Sequence, residues 1–502
     1  MSDSSVSNVV HAQTPDPRRW FALVVIAIAQ LMVVLDASIV NIALPHAAVD
    51  LHIIPKNYQW AVTAYTLTFG GFLLLGGRVG DYMGRKKAFM IGLVGFALAS
   101  LLGGFAQNQQ MLFGARALQG IFGALLAPAA LSLISVTFTD SKERAKAFGV
   151  YGALSGVGAA IGLIAGGLLT QYINWRWCLF VNTPMAAIAL FLAIPNVKES
   201  KVDGHPHYDV PGALTATAGM ISVVYGVSQA STNGWGSTSA WPYMAIGGAL
   251  LAIFFLIEAK VAQPLLPLRL LTDRVRGGAY IAMLFVGLGI FGMFLFMGFY
   301  FQDIHMYSAV KSGLLFLPFS LGVIFSAGAG SALLPKFGPR PIATFGCTIA
   351  AFGLLYLSTL QVTTAYLPHV VVAMVITSLG MGMTFVSVSS TALFNIQPQD
   401  TGAASAVLST AQQIGGSFGT AIQNTIFVSS AAAFGTAAFL KAKVSGQMIN
   451  AHLVKAEASV HGFDMAFRFG SLMLILAAFH FFFLVNIDRH HLGQHDEVAA
   501  VH

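Results

Sequence analysis

Charged side chains are scarce in this sequence. Asp, Glu, Lys and Arg supply 9% of the 502 residues, whereas an ordinary soluble domain contains about 25%. Hydrophobic residues supply 56%, and the mean hydropathy is +0.75. This composition excludes an ordinary soluble protein and predicts a chain that crosses a membrane many times.

Cysteine is almost absent as well. Cys178 and Cys347 are the only two, and both lie inside apolar runs, where a free thiol behaves as a small hydrophobic side chain. The sequence therefore predicts no disulfide framework. His490, His491 and His495 have a spacing that could suit a metal, but a solvated tail is the preferred interpretation. We expect neither a metal nor another cofactor.

The sequence lacks the usual signals of nucleic-acid binding and of two kinds of enzyme. The formal charge is +7, but the basic residues are scattered through short gaps between apolar runs and form no basic face, which argues against nucleic acid and favours the lipid headgroups. There is no GxxxxGK[ST] loop for ATP hydrolysis and no HExxH protease motif. We therefore do not expect an enzyme, and an ion gradient is the plausible source of energy.

Apolar runs of about 20 residues predict helices that cross the hydrocarbon core. Fourteen such runs are present, so the predicted fold class is an all-α polytopic membrane protein. They lie at 20–44, 58–76, 87–106, 111–137, 145–170, 177–197, 209–230, 241–259, 277–301, 312–334, 340–361, 366–393, 402–430 and 466–487.

The positions of Lys and Arg orient these spans. An even number of spans places both termini on one side, and 18 of the 26 basic residues lie on that side. Because cytoplasmic loops carry an excess of Lys and Arg, we expect a multi-pass protein of the cytoplasmic membrane with both termini in the cytoplasm.

A glycine-rich basic loop, GGRVGDYMGRKK from Gly76 to Lys87, joins the second and third predicted spans. Glycines allow helix ends to approach closely, and Asp81 can lie at a helix N-terminus or pair with a neighbouring arginine. A weaker copy, LLPKFGPRP at 333–341, follows the tenth span, and related loops in two halves are typical of transporters built from repeats. The alternative is a loop that only sets topology.

One acid lies deep in the first span, in LDASIVNIALP from Leu35 to Pro45. At 1.5 Å per residue Asp36 is roughly 24 Å from the inner face, and Arg116 on the fourth span is roughly 22 Å from it. The equal depths predict an ion pair, in which each charge offsets the burial of the other. We interpret it as a proton switch, since Asp36 could take up a proton when the pair separates. The alternative is a static pair that fixes helix register.

Five segments carry a resemblance to a known family. The chain resembles the major facilitator superfamily, specifically its fourteen-span drug:proton antiporter branch. The matching segments are LDASIVNIALP, GGRVGDYMGRKK, RALQGIFGA at 116–124, NWRWCLFVNTP at 174–184 and GAASAVLSTAQQIGGSFGTAI at 402–422.

The resemblance implies two six-helix bundles with two additional helices between them. The implied parts are a cytoplasmic tail at 1–19, an N-terminal bundle at 20–197, two helices with cytoplasmic linkers at 198–276, a C-terminal bundle at 277–487 that includes a long outer loop at 431–465, and a cytoplasmic tail at 488–502.

In function, the resemblance implies a monomeric proton-coupled antiporter that exports lipophilic small molecules by alternating access. Asp36 and Arg116 would couple protons, and the side chains assigned to substrate are Trp60, Tyr65, Gln412, Gln413 and Asp303, the last at interfacial depth. The residues assigned to conformational gating are Gly77, Asp81, Gly84, Arg85, Lys86, Gly162, Gly166 and Gly167.

The sequence departs from the branch in its fifth-span motif, and it has few intramembrane acids. The fifth-span motif usually reads GPxxGG, but this sequence has GLIAGG with Leu163 in place of proline, so a proline kink is in doubt and these glycines could serve packing alone. Few intramembrane acids argue against dicationic substrates and favour neutral, monocationic or anionic lipophiles. A facilitator without antiport remains the alternative function, and a membrane sensor without transport is disfavoured because no sizeable soluble domain is present.

Overall fold

The computed structural model describes residues 17–53, 60–201, 209–236, 238–262, 264–445 and 450–485. These residues form α-helices, two single-turn π-helices and one 3₁₀ turn, and they contain no strand. Residues 1–16 and the predicted C-terminal tail at 488–502, which carries His490, His491 and His495, lie outside the described residues.

Nine α-helices form in the described residues up to Glu258. They are α1 Arg19–Asp50, α2 Trp60–Met83, α3 Arg85–Gly104, α4 Gln109–Thr137, α5 Ser141–Tyr172, α6 Trp177–Phe180, α7 Asn182–Asn196, α8 Val210–Asn233 and α9 Trp241–Glu258.

Eight more α-helices follow. They are α10 Arg269–Thr272, α11 Arg274–Phe299, α12 Ala309–Leu315, α13 Leu317–Phe337, α14 Pro339–Leu357, α15 Val371–Ala392, α16 Thr401–Ser445 and α17 Ala451–Leu484. The π-helical turns are Tyr300–Ile304 and Tyr366–Val370, and the 3₁₀ turn is Pro398–Asp400.

Polar side chains cap several of these helices at the expected places. The Asn108 carboxamide oxygen accepts the Met111 N–H of α4 at 2.9 Å, and the Asp140 carboxylate accepts the Glu143 N–H of α5 at 2.8 Å. Such caps satisfy backbone donors that have no partner within the helix. The short polar gaps between apolar runs therefore set where these helices begin.

Twelve helices among the described residues are long and apolar enough to cross a membrane, which makes this a multi-pass membrane protein. The predicted fifth and thirteenth spans fall on α5 and α16, which that count does not include. In the described part of α5, the apolar stretch is Ile161–Tyr172. Helix α16 is rich in Ser, Thr, Gln and Gly, so its hydropathy is low although it has 45 residues. The predicted total of fourteen spans is not confirmed.

The predicted outer loop at 431–465, which its alanine content also indicates to be partly helical, is mostly helical in the structure. Helix α16 continues to Ser445 and α17 begins at Ala451. Alanine is the strongest helix former, and the segment is rich in it. The helices here extend further than the predicted spans at 402–430 and 466–487.

The described helices pack in two groups that contact each other along several helices. Helices α1 to α7 contact one another, and α11 to α17 form a second set. The two groups meet where α5 contacts α13 and where α16 contacts both α2 and α4. Helices α8 and α9 form a pair, and α8 packs against α2 and α16.

Candidate functional site

The predicted pair of Asp36 and Arg116 is present in the structure. Arg116 Nη1 of α4 lies 2.5 Å from Asp36 Oδ2 of α1, and the two side chains are 1% and 0% exposed. The depths calculated from helical rise therefore placed the two charges at the same level. Neither group has contact with bulk water in this conformation, so each depends on the protein for its solvation.

Three polar side chains that the sequence analysis did not select complete the site. Asp36 Oδ1 accepts from Asn182 Nδ2 of α7 at 2.7 Å and from Gln119 Nε2 of α4 at 2.9 Å. Both amides also donate to Ser100 Oγ of α3, at 3.2 Å and 2.6 Å. We call Asp36, Arg116, Gln119, Asn182 and Ser100 the buried polar cluster.

A sequence signal existed for two of these partners. Gln119 lies three residues after Arg116 in RALQ, and a spacing of three places both side chains on one face of a helix. Asn182 lies in the quoted segment NWRWCLFVNTP. Ser100 sits in an apolar span with no motif around it, so no sequence signal pointed to it.

Arg116 has further contacts on its other side. Its Nε donates to the Ala61 carbonyl oxygen of α2 at 3.0 Å, and its Nη1 also donates to Gln119 Oε1 at 2.7 Å. The guanidinium carbon lies 4.6 Å from the centre of the Tyr65 ring, within the range of a cation–π interaction. Tyr65 therefore lies at the ion pair, and helix α2 joins the site through Arg116.

The donors around Asp36 match its ionised form. Three nitrogen donors point at the two carboxylate oxygens, which leaves an acid proton without a nearby acceptor at those positions. Protonation of Asp36 would thus require Arg116 or the amides to move away. These donors come from α4 and α7, so the contacts of Asp36 depend on how α1 packs against those two helices.

The other residues assigned to substrate have contacts of their own. Trp60 packs against Tyr225 of α8, with ring centres 5.9 Å apart. Gln412 and Gln413 are half-buried on α16, and the Gln413 side chain lies beside Gly70 of α2. Asp303 is exposed in the π-helical turn after α11. Their roles in substrate binding stay predictions.

The acid of the glycine-rich basic loop joins the two groups of helices. Asp81 Oδ1 lies 2.9 Å from Arg85 Nη2 and accepts the N–H of Gly402, the second residue of α16, at 3.1 Å. Arg78 donates to the carbonyl oxygens of Gln399 at 3.1 Å and of Pro264 at 2.8 Å. A carboxylate at a helix N-terminus is favoured by the helix dipole. Arg78 and Asp81 lie in the last turns of α2, because the predicted loop at 76–87 is helical except at Gly84. The end of α2 therefore holds the start of α16.

The segment before α8 holds the other side of this loop. Gly84 has φ +108°, a conformation that L side chains rarely adopt, and a side chain there would meet the Glu199 carboxylate. Glu199 accepts the Lys86 N–H at 3.1 Å, and Lys86 Nζ donates to the Ile194 carbonyl oxygen at 2.7 Å. Arg78, Asp81, Arg85 and Lys86 of the motif thus each have a partner, and a role of the motif in gating stays a prediction.

The glycines of α5 allow close packing, as their spacing predicts. A Cβ at Gly162 would collide with Ser38 of α1, and one at Gly166 would lie 2.9 Å from Ile39. Gly167 instead faces Val310 of α12, where a Cβ would lie 2.8 Å away. Helix α5 continues without interruption through Leu163. These contacts establish packing, and a role in gating stays a prediction.

Gly77 offers a matched test of the contact between α2 and α16. A Cβ at Gly77 would lie 2.6 Å from the Gly402 oxygen, whereas a Cβ at Gly80, one turn away, would meet only Ala88 at 3.7 Å. Both Gly→Ala changes raise helix propensity by about 1 kcal/mol. We expect Gly77→Ala to separate the two helix ends and Gly80→Ala to leave them together.

Distances between spin labels at the exposed positions Met83 and Gln399 measure this separation. The background is favourable because Cys178 and Cys347 are both buried. A longer distance in Gly77→Ala than in Gly80→Ala is the expected result. Equal distances in the two variants would show that the close approach of Gly77 and Gly402 does not hold these helix ends.

Comparison with protein families identifies the fold. The family model described as Major Facilitator Superfamily matches residues 26–420. The human organic anion transporter MFSD10 (TETRAN) has a similar structure, with a TM-score of 0.62 at 14% identity over 93% of this chain and 100% of that chain. At that identity the likeness concerns the fold alone.

Three other proteins have a higher sequence identity to this chain. The puromycin resistance protein pur8 of Streptomyces alboniger is 44% identical, over 93% of this chain and 91% of that protein. The cephamycin export protein CmcT of Amycolatopsis lactamdurans is 36% identical, over 81% and 84%. The tetracenomycin C resistance and export protein of Streptomyces glaucescens is 30% identical, over 82% and 76%. The chain therefore belongs to the Major Facilitator Superfamily and is a transporter, not an enzyme.

Proposed function

We propose that this protein is a proton-coupled antiporter that exports lipophilic small molecules of the antibiotic class across the cytoplasmic membrane. Three relatives are named for resistance to, or export of, puromycin, cephamycin and tetracenomycin C. These compounds differ in chemistry, which favours a class of substrates for the group over one ligand. The proposal for this chain adds the energy source and the residues that use it.

The observation that carries the proton coupling is the buried pair of Asp36 and Arg116. An intramembrane ionisable residue is a functional candidate by default, because its burial is costly. The pair is closed off from water, and Asp36 accepts hydrogen bonds from Arg116, Gln119 and Asn182. A conformation that moves Arg116 away would let Asp36 accept a proton, and the return would release it.

The structure offers a conformation in which such a cycle could start. The contacts between the helix groups include Asp81 with Gly402 and Ser132 with Ser405, whose Oγ atoms are 3.2 Å apart. These residues lie at the ends of α2 and α4 and the start of α16, on the side predicted to be cytoplasmic. We infer that this conformation is closed towards the cytoplasm, so that protons would reach Asp36 from outside.

The remaining parts of the proposal concern topology. We propose that α5 and α16 also cross the membrane, giving fourteen spans with both termini in the cytoplasm. Their contacts support this, since α5 packs against α1 and α13, and α16 against α2, α11 and α17, all apolar enough to span. The two helix groups would then rock as two six-helix bundles around a central site, with α8 and α9 at the periphery.

Transport into proteoliposomes tests the function. Purified protein is reconstituted with an imposed pH gradient and an internal pH dye, and puromycin, a cephamycin or a lipophilic anion is added. An antiporter should dissipate the gradient on addition of a substrate. With one proton per cycle, about 2.3 kcal/mol per 100 mV could support roughly a 40-fold substrate gradient.

The same measurement decides between antiport and its alternative. Substrate uptake without any change in the internal pH, and without acceleration by an imposed gradient, would establish a facilitator and contradict the proton-coupled proposal. Protein-free liposomes give the rate of passive proton leakage. The ratio of proton flux to substrate flux then gives the stoichiometry.

A further inference from the structure

A cavity of about 750 Å³ lies between α5 and α13, away from the buried polar cluster. The two helices approach closely behind it, where a Cβ on Gly149 would lie 3.3 Å from the Ala327 oxygen. Its apolar lining includes Val150 and Ile324, which are 37% and 46% exposed. The cavity is therefore an open groove on the outer surface of the contact between the two helix groups.

Three lysines surround one end of this groove. Lys142 and Lys146 lie one turn apart at the start of α5, and Lys336 lies near the end of α13. All three are exposed, and no ion pair is formed by them within the described part of the chain. Lys146 lies 4.9 Å from the centre of the Trp20 ring. The nearby Glu143 is already paired with Arg19 at 2.7 Å, so the rim remains positive.

The contact between the helix groups at α2 and α16 is covered by a further helix, unlike the contact at α5 and α13. There α8 packs against both α2 and α16, and a side chain at Gly71 of α2 would collide with Ile221 of α8. At the α5 and α13 contact, Val150, Ile324 and Gly328 stay exposed, and a Cβ on Gly328 would meet no atom within 4 Å. The groove is thus an apolar surface that lipid can occupy.

The length of the groove matches one leaflet of a bilayer. From Lys146 to Leu154 on α5 is roughly 12 Å along the helix, and from Ile324 to Lys336 on α13 is roughly 18 Å. Half of the hydrocarbon core is about 15 Å thick. The lysines lie on the side predicted to be cytoplasmic, where anionic lipids attract basic side chains. The groove therefore has its charged end at the headgroups and its apolar end within the acyl chains.

We propose that this groove is a binding site for one anionic phospholipid of the cytoplasmic leaflet. The lipid phosphate would lie among Lys142, Lys146 and Lys336, and an acyl chain would lie along Val150 and Ile324. The inference does not depend on the direction or coupling of transport. It assigns a ligand to a site that the transport mechanism does not use.

Native mass spectrometry of the full-length protein in detergent tests the charged end. Phosphatidylglycerol is titrated against phosphatidylcholine, and the affinity of the first bound lipid is measured. We expect the wild type to prefer phosphatidylglycerol, and the triple variant Lys142→Gln, Lys146→Gln, Lys336→Gln to lose that affinity by about fivefold for each lysine. The matched control replaces Lys87, Lys201 and Lys260, which are also exposed and predicted cytoplasmic, by Gln.

The apolar end has its own matched pair of variants. Gly328→Leu should fill the groove and weaken binding of phosphatidylglycerol and phosphatidylcholine alike. Gly248→Leu on α9, where a Cβ also meets nothing within 4 Å, should leave binding unchanged. Both positions are exposed on a helix, so neither change should unfold the protein.

Three outcomes would overturn the lipid site. The first is an equal loss of affinity in the two triple-lysine variants, which would indicate general surface charge. The second is unchanged binding in Gly328→Leu. The third is displacement of phosphatidylglycerol by glycerol 1-phosphate at comparable concentrations, which would indicate a site for a free phosphate.

Discussion

Replacing Asp36 by Asn is expected to abolish proton flux driven by substrate. The change keeps the shape of the side chain but removes the group that gains and loses a proton. The amide would also place N–H donors against Gln119 and Asn182, which now donate to the Asp36 carboxylate at 2.9 Å and 2.7 Å. In proteoliposomes the internal pH should then respond to substrate no more than in protein-free vesicles.

A double variant separates loss of coupling from loss of folding. Asp36→Asn alone leaves the Arg116 charge buried without its counter-ion, whereas Asp36→Asn with Arg116→Gln removes both charges from the site. We expect the double variant to fold and to remain unable to couple protons. A substrate-driven change in the internal pH at the wild-type rate in either variant would rule out Asp36 as the proton site.

The effect of removing one charge on the free energy of unfolding should depend strongly on whether the other charge is present. Removing one partner of a buried ion pair typically costs about 3–5 kcal/mol, because the other charge is left without compensation. Asp36→Asn should be the more damaging single change, since a guanidinium cannot lose its charge while a lone carboxylate can be neutralised by a proton. The double variant should recover most of the loss.

Unfolding of the four proteins in mixed detergents gives the coupling energy directly. A coupling of several kcal/mol is expected from the direct contact and the full burial of the two side chains. Additive effects of the two single changes would show that the pair contributes little to the folded state. Transport measured on the same samples would then show whether coupling depends on the pair or on Asp36 alone.

Much of the fold was accessible from the sequence because a bilayer imposes simple rules. Apolar runs of fixed length located nearly every described helix, and constant helical rise brought Asp36 and Arg116 to one depth before any contact was known. At 431–465 hydropathy indicated no span, and only the alanine content indicated helix, because hydropathy detects burial in lipid and does not detect a helix that extends beyond it.

Only some of the side chains around Asp36 could be predicted from the sequence. Gln119 shares a helix face with Arg116, so spacing could have found it, but Ser100 and Asn182 come from α3 and α7. An isolated serine in an apolar run is also consistent with packing alone. Which side chain meets Asp36 depends on how α1, α3, α4 and α7 are rotated, and single-sequence periodicity does not give that rotation.

The amino-acid sequence by itself determined a helical multi-pass membrane protein with a charge pair at matched depth, because lipid excludes unpaired backbone and isolated charge. Only the tertiary structure decided that Asp81 holds the start of α16 and that a lysine-rimmed groove opens between α5 and α13. These features join residues hundreds of positions apart. They arise from the shapes of packed helix surfaces, which no local pattern specifies.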